Sequence, residues 1–451
     1  MDEKEQVQWE KRKVRRKRRI RSQIAAYTVL AVVIMALAAG IVFGARFLLS
    51  YSQEKKQQEE QDRQDKINDL LSTEEDLVTP KPEGGESREE EEEEEPPAPE
   101  PTPQEVLDSF VDAVIQSMPL EDKVAGLFIV TPESITGVGT AVKAGDGTRT
   151  ALEKYAVGGL VYFKKNIQSE SQLKEMLANT ASYAKYPLFL AVDEEGGSVA
   201  RVASAGIGPK VDGAGDIGAT GNADNAYQAG LTIGGTLAGL GFNLDFAPVA
   251  DLANVDKSIM KGRSYGADAA TVSDFVVSMT RGLREQKVAA CLKHFPGIGS
   301  STEDTHKGTA STDRSAEQFM AEELAVFRAG IDAGADMVMV SHMAAPSLTG
   351  NDEPGIFSEI LVTDILREQM GFQGVIITDA LDMAAISRYY GADEAAVMAV
   401  LAGCDMLLMP ENFQKAYEGV LKAVHEGYIS EERINDSLRR IYRIKYADRI
   451  E

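Results

Sequence analysis

The sequence predicts an α/β protein: a (β/α)8 TIM-type barrel preceded by one N-terminal transmembrane helix and a disordered, acidic Pro/Glu-rich stalk. Three observations predict it. Eight short apolar runs recur at 126–130, 159–163, 188–193, 242–248, 289–294, 337–342, 375–379 and 405–409. Longer amphipathic segments lie between them, at 169–185, 222–240, 271–285, 315–333, 358–370 and 392–401. The chain before residue 104 has a composition unlike any globular domain. Near-continuous apolar strands alternating with helices mark a parallel sheet covered on both faces, and eight such units close into a barrel. An open doubly wound sheet is the alternative. It calls for a topological switch point and commonly a Gly-rich phosphate loop, and Gly137-Val138-Gly139 is too short a match to serve as one. Helical patterns at 413–426 and 430–446 close the domain.

The N-terminal region reads as an anchor and a spacer. Positions 11–21 hold nine basic residues in eleven, and 24–49 then run apolar, broken by Thr28, Arg46 and small residues. A span of about 20 apolar residues crosses a bilayer as a helix. The basic cluster on its N-terminal side predicts a cytoplasmic N-terminus, which places the rest of the chain outside the membrane. A cleaved signal peptide competes with this reading. The apolar stretch is longer than a usual signal core, although Ala38-Ala39-Gly40 within it is rich in small residues. Residues 79–103 are rich in Pro and Glu, with seven consecutive Glu at 89–95. Such a segment buries too little apolar surface to fold, and its charges repel one another. A bare Glu run fixes no geometry for calcium. The organisation is therefore a basic tail at 1–23, an anchor at 24–49, a linker at 50–103 and a barrel at 104–451. The net charge of −24 in 451 residues argues against nucleic-acid binding, though much of it belongs to the linker. Cys291 and Cys404 sit in apolar runs and read as buried free thiols.

The polar residues fall where a barrel enzyme needs them. The third strand ends in Asp193-Glu194-Glu195-Gly196-Gly197, and the fourth runs into Asp245 and Asp251. The fifth ends in Lys293-His294, the sixth in Ser341-His342 and the seventh in Thr378-Asp379. All these ends lie on one face of a parallel barrel, the face that carries barrel active sites. Any one of them alone reads as a helix cap or a salt-bridge partner; five together indicate a pocket. The stretch 293–306 is densest: it turns polar at Lys293-His294, breaks at Pro296, Gly297 and Gly299, and ends in Asp304 and His306. His342 divides between lining that pocket and satisfying a strand-end hydrogen bond. Lys307 flanks the site or is a solvated charge, and His425 reads as surface. No metal is expected, because the histidines lack close ligand spacing and Lys293 beside His294 repels a cation.

These residues also carry a resemblance. The segments VDEEGGSVAR (192–201), NLDFAPVADL (243–252), GRSYGAD (262–268), KHFPGIGSSTEDTHKG (293–308) and GVIITDALDM (374–383) resemble glycoside hydrolase family 3, specifically its single-domain β-N-acetylglucosaminidase branch. The resemblance spans roughly residues 103–449, in the family's order. It implies a (β/α)8 barrel that removes terminal, non-reducing β-linked N-acetylglucosamine with retention of configuration, including from peptidoglycan fragments. It assigns Asp379 as the nucleophile, His306 as acid/base with Asp304 as its partner, and Asp193, Arg201, Arg263, Lys293 and His294 as sugar-binding positions. Two positions depart from the family: Ile298, where it usually has His, and Ser198, where it often has Arg.

The assignment is chemically coherent. Retaining hydrolysis needs a carboxylate nucleophile and an acid/base across the scissile bond, about 5–5.5 Å apart where both are carboxyl groups. An imidazole can give and take a proton near neutral pH, with an unperturbed pKa of about 6.5, and Asp304 can favour its protonated form. Gly297, Gly299, Ser300, Ser301 and Thr302 suggest a mobile loop that lets His306 swing over bound sugar. The implied partners are a carbohydrate substrate and, through the N-terminal helix, the membrane, with no cofactor and no obligate protein partner. A β-glycoside phosphorylase, a glycosidase of other sugar preference and a non-catalytic cell-wall-binding barrel are the competing functions. A His acid/base avoids a second anion near an incoming phosphate; intact Asp379, Asp304 and His306 argue against a retired barrel.

Overall fold

The computed structural model describes residues 101–303 and 310–447. The expected tail, membrane anchor and nearly all of the stalk lie outside the described residues, as do Asp304, His306 and Lys307. Among the described residues no helix is long and apolar enough to cross a membrane.

Eight parallel strands form the centre, each where an apolar run predicts one. In chain order they are β1 (Phe128–Val130), β2 (Gly159–Val161), β3 (Phe189–Val192), then, after the hairpin β4 (Glu194–Gly196) and β5 (Val199–Ala200), β6 (Leu244–Asp245), β7 (Ala289–Phe295), β8 (Met337–Val340), β9 (Val375–Thr378) and β10 (Leu407–Leu408). The sheet order is β10-β1-β2-β3-β6-β7-β8-β9. Its two ends meet through a parallel bridge between Ile377 and Met406 and a hydrogen bond from the Thr378 N–H to the Met406 carbonyl at 3.1 Å. This is a TIM-type α/β fold. The barrel strands are buried along their whole length, which is why their sequences are apolar without alternation.

The helices start where side chains can take up free backbone N–H groups. Helix α1 (Pro103–Ser117) opens on a capping box between Thr102 and Glu105, a helix the apolar pattern did not predict. After α2 (Leu120–Ala125), α3 (Glu170–Tyr183) opens on a box between Ser169 and Gln172. Helix α4 (Asp224–Leu240) has no side-chain cap, whereas Asp268 caps α5 (Ala269–Glu285). The pattern at 315–333 predicts one helix, but the chain breaks at Glu322 into α6 (Ala316–Ala321) and α7 (Glu323–Asp332). The break serves Glu323, a nearly fully buried carboxylate that accepts hydrogen bonds from Arg314 and Asn254. The segment expected as an α-helix at 358–370 is a π-helix, Ile360–Gln369. Helix α8 (Ala392–Ala402) ends at Gly403, whose φ of 115° suits a residue without Cβ.

Helices α9 (Phe413–His425) and α10 (Glu431–Tyr446) follow. Helix α10 packs on α1 through Arg443–Asp108 and Arg439–Asp112 pairs and an edge-on contact of Phe110 with Tyr446. It also reaches the barrel seam. Asp405, fully buried just before β10, accepts from the Ile376 N–H at 2.9 Å and from Ser437 Oγ at 2.8 Å. Arg367, Arg433 and Arg440 converge on the same carboxylate. One buried anion therefore joins the last two strands, the π-helix and α10. Removing it strands several cations against a low-dielectric interior, a loss of about 3–5 kcal/mol. Asp405→Ala is expected to lower stability by that amount in denaturant unfolding, the largest loss among single charge deletions on this side of the barrel.

Candidate active site

The strand ends bring most of the expected site residues together. Asp193 follows β3 directly. Its neighbour Glu194 opens the β4–β5 hairpin, which the apolar pattern did not foresee. Gly196 turns that hairpin with φ 86°, and a Cβ there would stand 2.6 Å from the Asp212 carbonyl. Only glycine fits this close approach, which explains the Gly-Gly pair in the sequence. Ser198, one of the two positions that depart from the family, is exposed at the hairpin tip.

Lys293 is the centre of the cluster. Its Nζ lies 2.7 Å from Asp193 Oδ1 and 2.7 Å from Glu195 Oε1, with the side chain almost wholly buried. Burial by itself would favour the neutral amine, but the two carboxylates hold it charged, above the ordinary lysine range. Arg263 grips Glu195 with two hydrogen bonds, Nε to Oε2 at 2.8 Å and Nη2 to Oε1 at 2.6 Å. Burial would raise the Glu195 carboxyl; Lys293 and Arg263 together hold it down to about 2. Arg201 Nη2 stands 3.9 Å from Asp193 Oδ2, and its guanidinium lies over the Phe163 ring at 5.7 Å. Its buried Nε has no hydrogen-bond partner among the described residues. Asp193, Arg201, Arg263 and Lys293 thus form one network, and Glu195 is the member without an expected role. The period-two alternation of a strand end, which puts positions 193 and 195 on one side, was the available signal.

Beneath this network Asp245 is fully buried. Its Oδ1 accepts from the Glu194 N–H at 2.9 Å, and burial pushes its carboxyl well above the ordinary aspartate range. It therefore stays protonated further up the pH scale than an exposed aspartate.

His294 follows Lys293 on β7, across a cis peptide bond. Its Nδ1 is 2.7 Å from Asp251 Oδ2. The described start of the loop beyond is held by several contacts. Ile298 donates its N–H to Asp251 Oδ1 at 2.7 Å, and a Cβ on Gly299 would meet the Leu252 carbonyl at 1.8 Å. Ser300 Oγ pairs with Thr312 Oγ1 at 2.9 Å. The glycine at 299 thus serves close packing, and the hydroxyl at 300 a cross-loop contact. The Ile298 side chain is buried in the core cluster.

Asp379 follows β9 and is partly exposed, with its N–H donated to the Val340 carbonyl at 2.8 Å. Its Oδ1 accepts from the Ala380 N–H at 2.8 Å. The Ala380 carbonyl in turn accepts from His342 Nε2 at 2.8 Å, so a carbonyl sets the imidazole tautomer. Burial would raise the Asp379 carboxyl, but the His342 and His294 rings, the Ala380 N–H and Lys293 outweigh it and hold it below its ordinary value. His342 is buried and makes the strand-end hydrogen bond, to the residue that follows Asp379. Cys291 and Cys404 are buried, and burial pushes the Cys404 thiol up to about 12. Among the described residues no cluster of His, Cys, Asp and Glu is arranged to hold a metal ion.

The arrangement offers an ionised, positioned carboxylate and a network of directional donors and acceptors at the strand ends of one barrel face, where barrel active sites lie. Comparison with known proteins agrees. The profile described as "Glycosyl hydrolase family 3 N terminal domain" matches residues 119–444. A protein named beta-hexosaminidase from Stenotrophomonas maltophilia (strain K279a) is 36% identical over 283 residues, covering 60% of this chain and 82% of its own. The structure of a glycoside hydrolase family 3 beta-N-acetylglucosaminidase from Paenibacillus sp. str. FPU-7 superposes with a TM-score of 0.69 at 34% identity, covering 74% of this chain and 63% of that one. A family 3 glycosyl hydrolase from Mycobacterium smegmatis gives a TM-score of 0.65 at 29% identity, covering 73% of this chain and 98% of that one. On the length of the profile match and the order of the site residues, this chain belongs to glycosyl hydrolase family 3.

Proposed function

We propose that the protein is a retaining exo-β-N-acetylglucosaminidase that acts on terminal, non-reducing β-linked N-acetylglucosamine, with peptidoglycan-derived glycans as the substrate class. The observation that carries this reading is Asp379: a carboxylate held ionised at a rigid strand end by His342, His294 and Lys293, the last of which belongs to the network with Asp193 and Glu195. The named relatives and the family support the sugar. In the first step an Asp379 oxygen bonds to the anomeric carbon as the bond to the leaving oxygen breaks, and His306 gives that oxygen a proton. In the second, water attacks the same carbon and passes a proton to His306, freeing the sugar and the Asp379 carboxylate. Asp304 assists His306. Asp193, Arg201, Arg263, Lys293 and His294 hold the sugar hydroxyls, for which paired directional groups are needed. The apolar run at 24–49 behind a basic cluster supports an uncleaved anchor that carries the catalytic domain on the outer side of the membrane.

Asp379→Ala is expected to reduce kcat on an aryl N-acetyl-β-glucosaminide by at least about 10^4-fold. Free N-acetylglucosamine as the wild-type product with phosphate present marks hydrolysis; sugar 1-phosphate as the main product would replace this reading with phosphorolysis. The pH dependence follows from the sign of the Asp379 shift. Its carboxyl lies below its ordinary value of 3.8, so it stays ionised until the pH falls beneath that value. His342→Ala removes one of the groups that lower it, and the acidic limb of kcat/KM should move to higher pH; an unmoved limb would contradict the pairing. For the anchor, protease added to intact cells should release the barrel by cutting the Glu-Pro stalk, and full protection would contradict an outward-facing domain.

A further inference from the structure

We propose that Asp251 is a positioning residue that holds two parts of the site with one carboxylate: the His294 ring and the turn at Ile298 and Gly299 that follows β7. The inference rests on the function proposed above.

Asp251 lies in the segment after β6 and is fully buried. Its two oxygens have separate tasks. Oδ2 is 2.7 Å from His294 Nδ1 and accepts from the His294 backbone N–H at 3.2 Å. Oδ1 accepts from the Ile298 N–H at 2.7 Å. An ionised carboxylate can only accept, so Nδ1 carries the hydrogen in this pair and Nε2 is the face left for substrate. The Asp251 segment is itself held to β7, by a parallel bridge between Val249 and Lys293 and by the Ala250 N–H bonded to the Lys293 carbonyl at 2.7 Å. Gly299 then packs directly on Leu252, the next residue. Strand end, sugar-binding ring and loop start are thus fixed to one short segment. A displacement of Asp251 would move the ring and the loop together.

The two tasks can be separated by substitution in the full-length protein. Asp251→Asn keeps an oxygen for the Ile298 N–H but presents an amide to Nδ1. Asp251→Ala removes both. Rates are measured on aryl N-acetyl-β-glucosaminides whose leaving groups span a range of acidity, for these variants, for His294→Ala, and for Asp251→Asn combined with His294→Ala. Asp251→Asn should raise KM on the order of 10- to 100-fold, keep the wild-type dependence of kcat on leaving-group acidity, and have no further effect when His294 is already Ala. Asp251→Ala should in addition lower the thermal midpoint, because the buried Ile298 N–H then loses its acceptor.

Two results overturn the proposal. One is a KM effect of Asp251→Asn that is the same with and without His294. The other is loss of thermal stability with unaltered kinetics in the folded protein, the mark of a purely structural residue. If Asp251→Ala does not fold, the comparison of Asp251→Asn in the two backgrounds still decides. Failure of the underlying reading has a different signature: Asp379→Ala would remain active whatever the Asp251 variants do.

Discussion

The site depends on burying one ammonium group, that of Lys293, between two carboxylates. A buried lysine without partners would give up its proton; with Asp193 and Glu195 it stays charged, and with Arg263 the group ties β7 to the hairpin after β3 and the loop after β6. That network fixes where β7, the hairpin after β3 and the loop after β6 stand relative to each other. The carboxylates are neutralised before any substrate arrives, so an uncharged sugar meets directional polar groups without having to screen a bare ion. The partly unsatisfied Arg201 fits the same picture, as its buried Nε still has hydrogen-bonding capacity to offer.

A second buried anion does comparable work at the seam of the barrel. Asp405 draws in arginines from the π-helix and from α10 and accepts the Ile376 N–H across the last strand pair. The two carboxylate centres differ in what they organise. Around Lys293 the charges are arranged toward a concave face, whereas around Asp405 they are consumed by backbone carbonyls and strand closure. This contrast separates a binding network from a structural one more sharply than residue type does, since both contain arginine and aspartate in tight pairs.

The fold was largely legible. Eight apolar runs and the helices between them follow from burial of a parallel sheet on both faces, a constraint that leaves a long and regular mark. The exceptions are local. The β4–β5 hairpin is too short and polar to show as a strand pattern. The break at Glu322 is set by a buried carboxylate whose partners, Arg314 and Asn254, come from outside its helix. The π-helix at Ile360–Gln369 keeps the spacing of an apolar face close enough to read as α. In the site, Asp379, Lys293, His294, Asp193, Arg201 and Arg263 were legible because they end strands or sit in recognisable motifs. Glu195 and Asp251 were on view as acidic positions, but their partners are 68 and 43 residues away, beyond any pattern of local spacing.

The sequence by itself determined the class of the barrel, the face on which its polar residues gather and the family to which those residues belong, because periodicity and ordered motifs are properties of the chain read in line. Only the tertiary structure decided which carboxylate pairs with which cation. It placed Glu195 between Lys293 and Arg263, gave Asp251 both His294 and Ile298, and put His342 behind the peptide that bonds Asp379. Those pairings depend on distances between different strands. They are set by how far each strand is turned and raised in the closed sheet, which no single segment encodes.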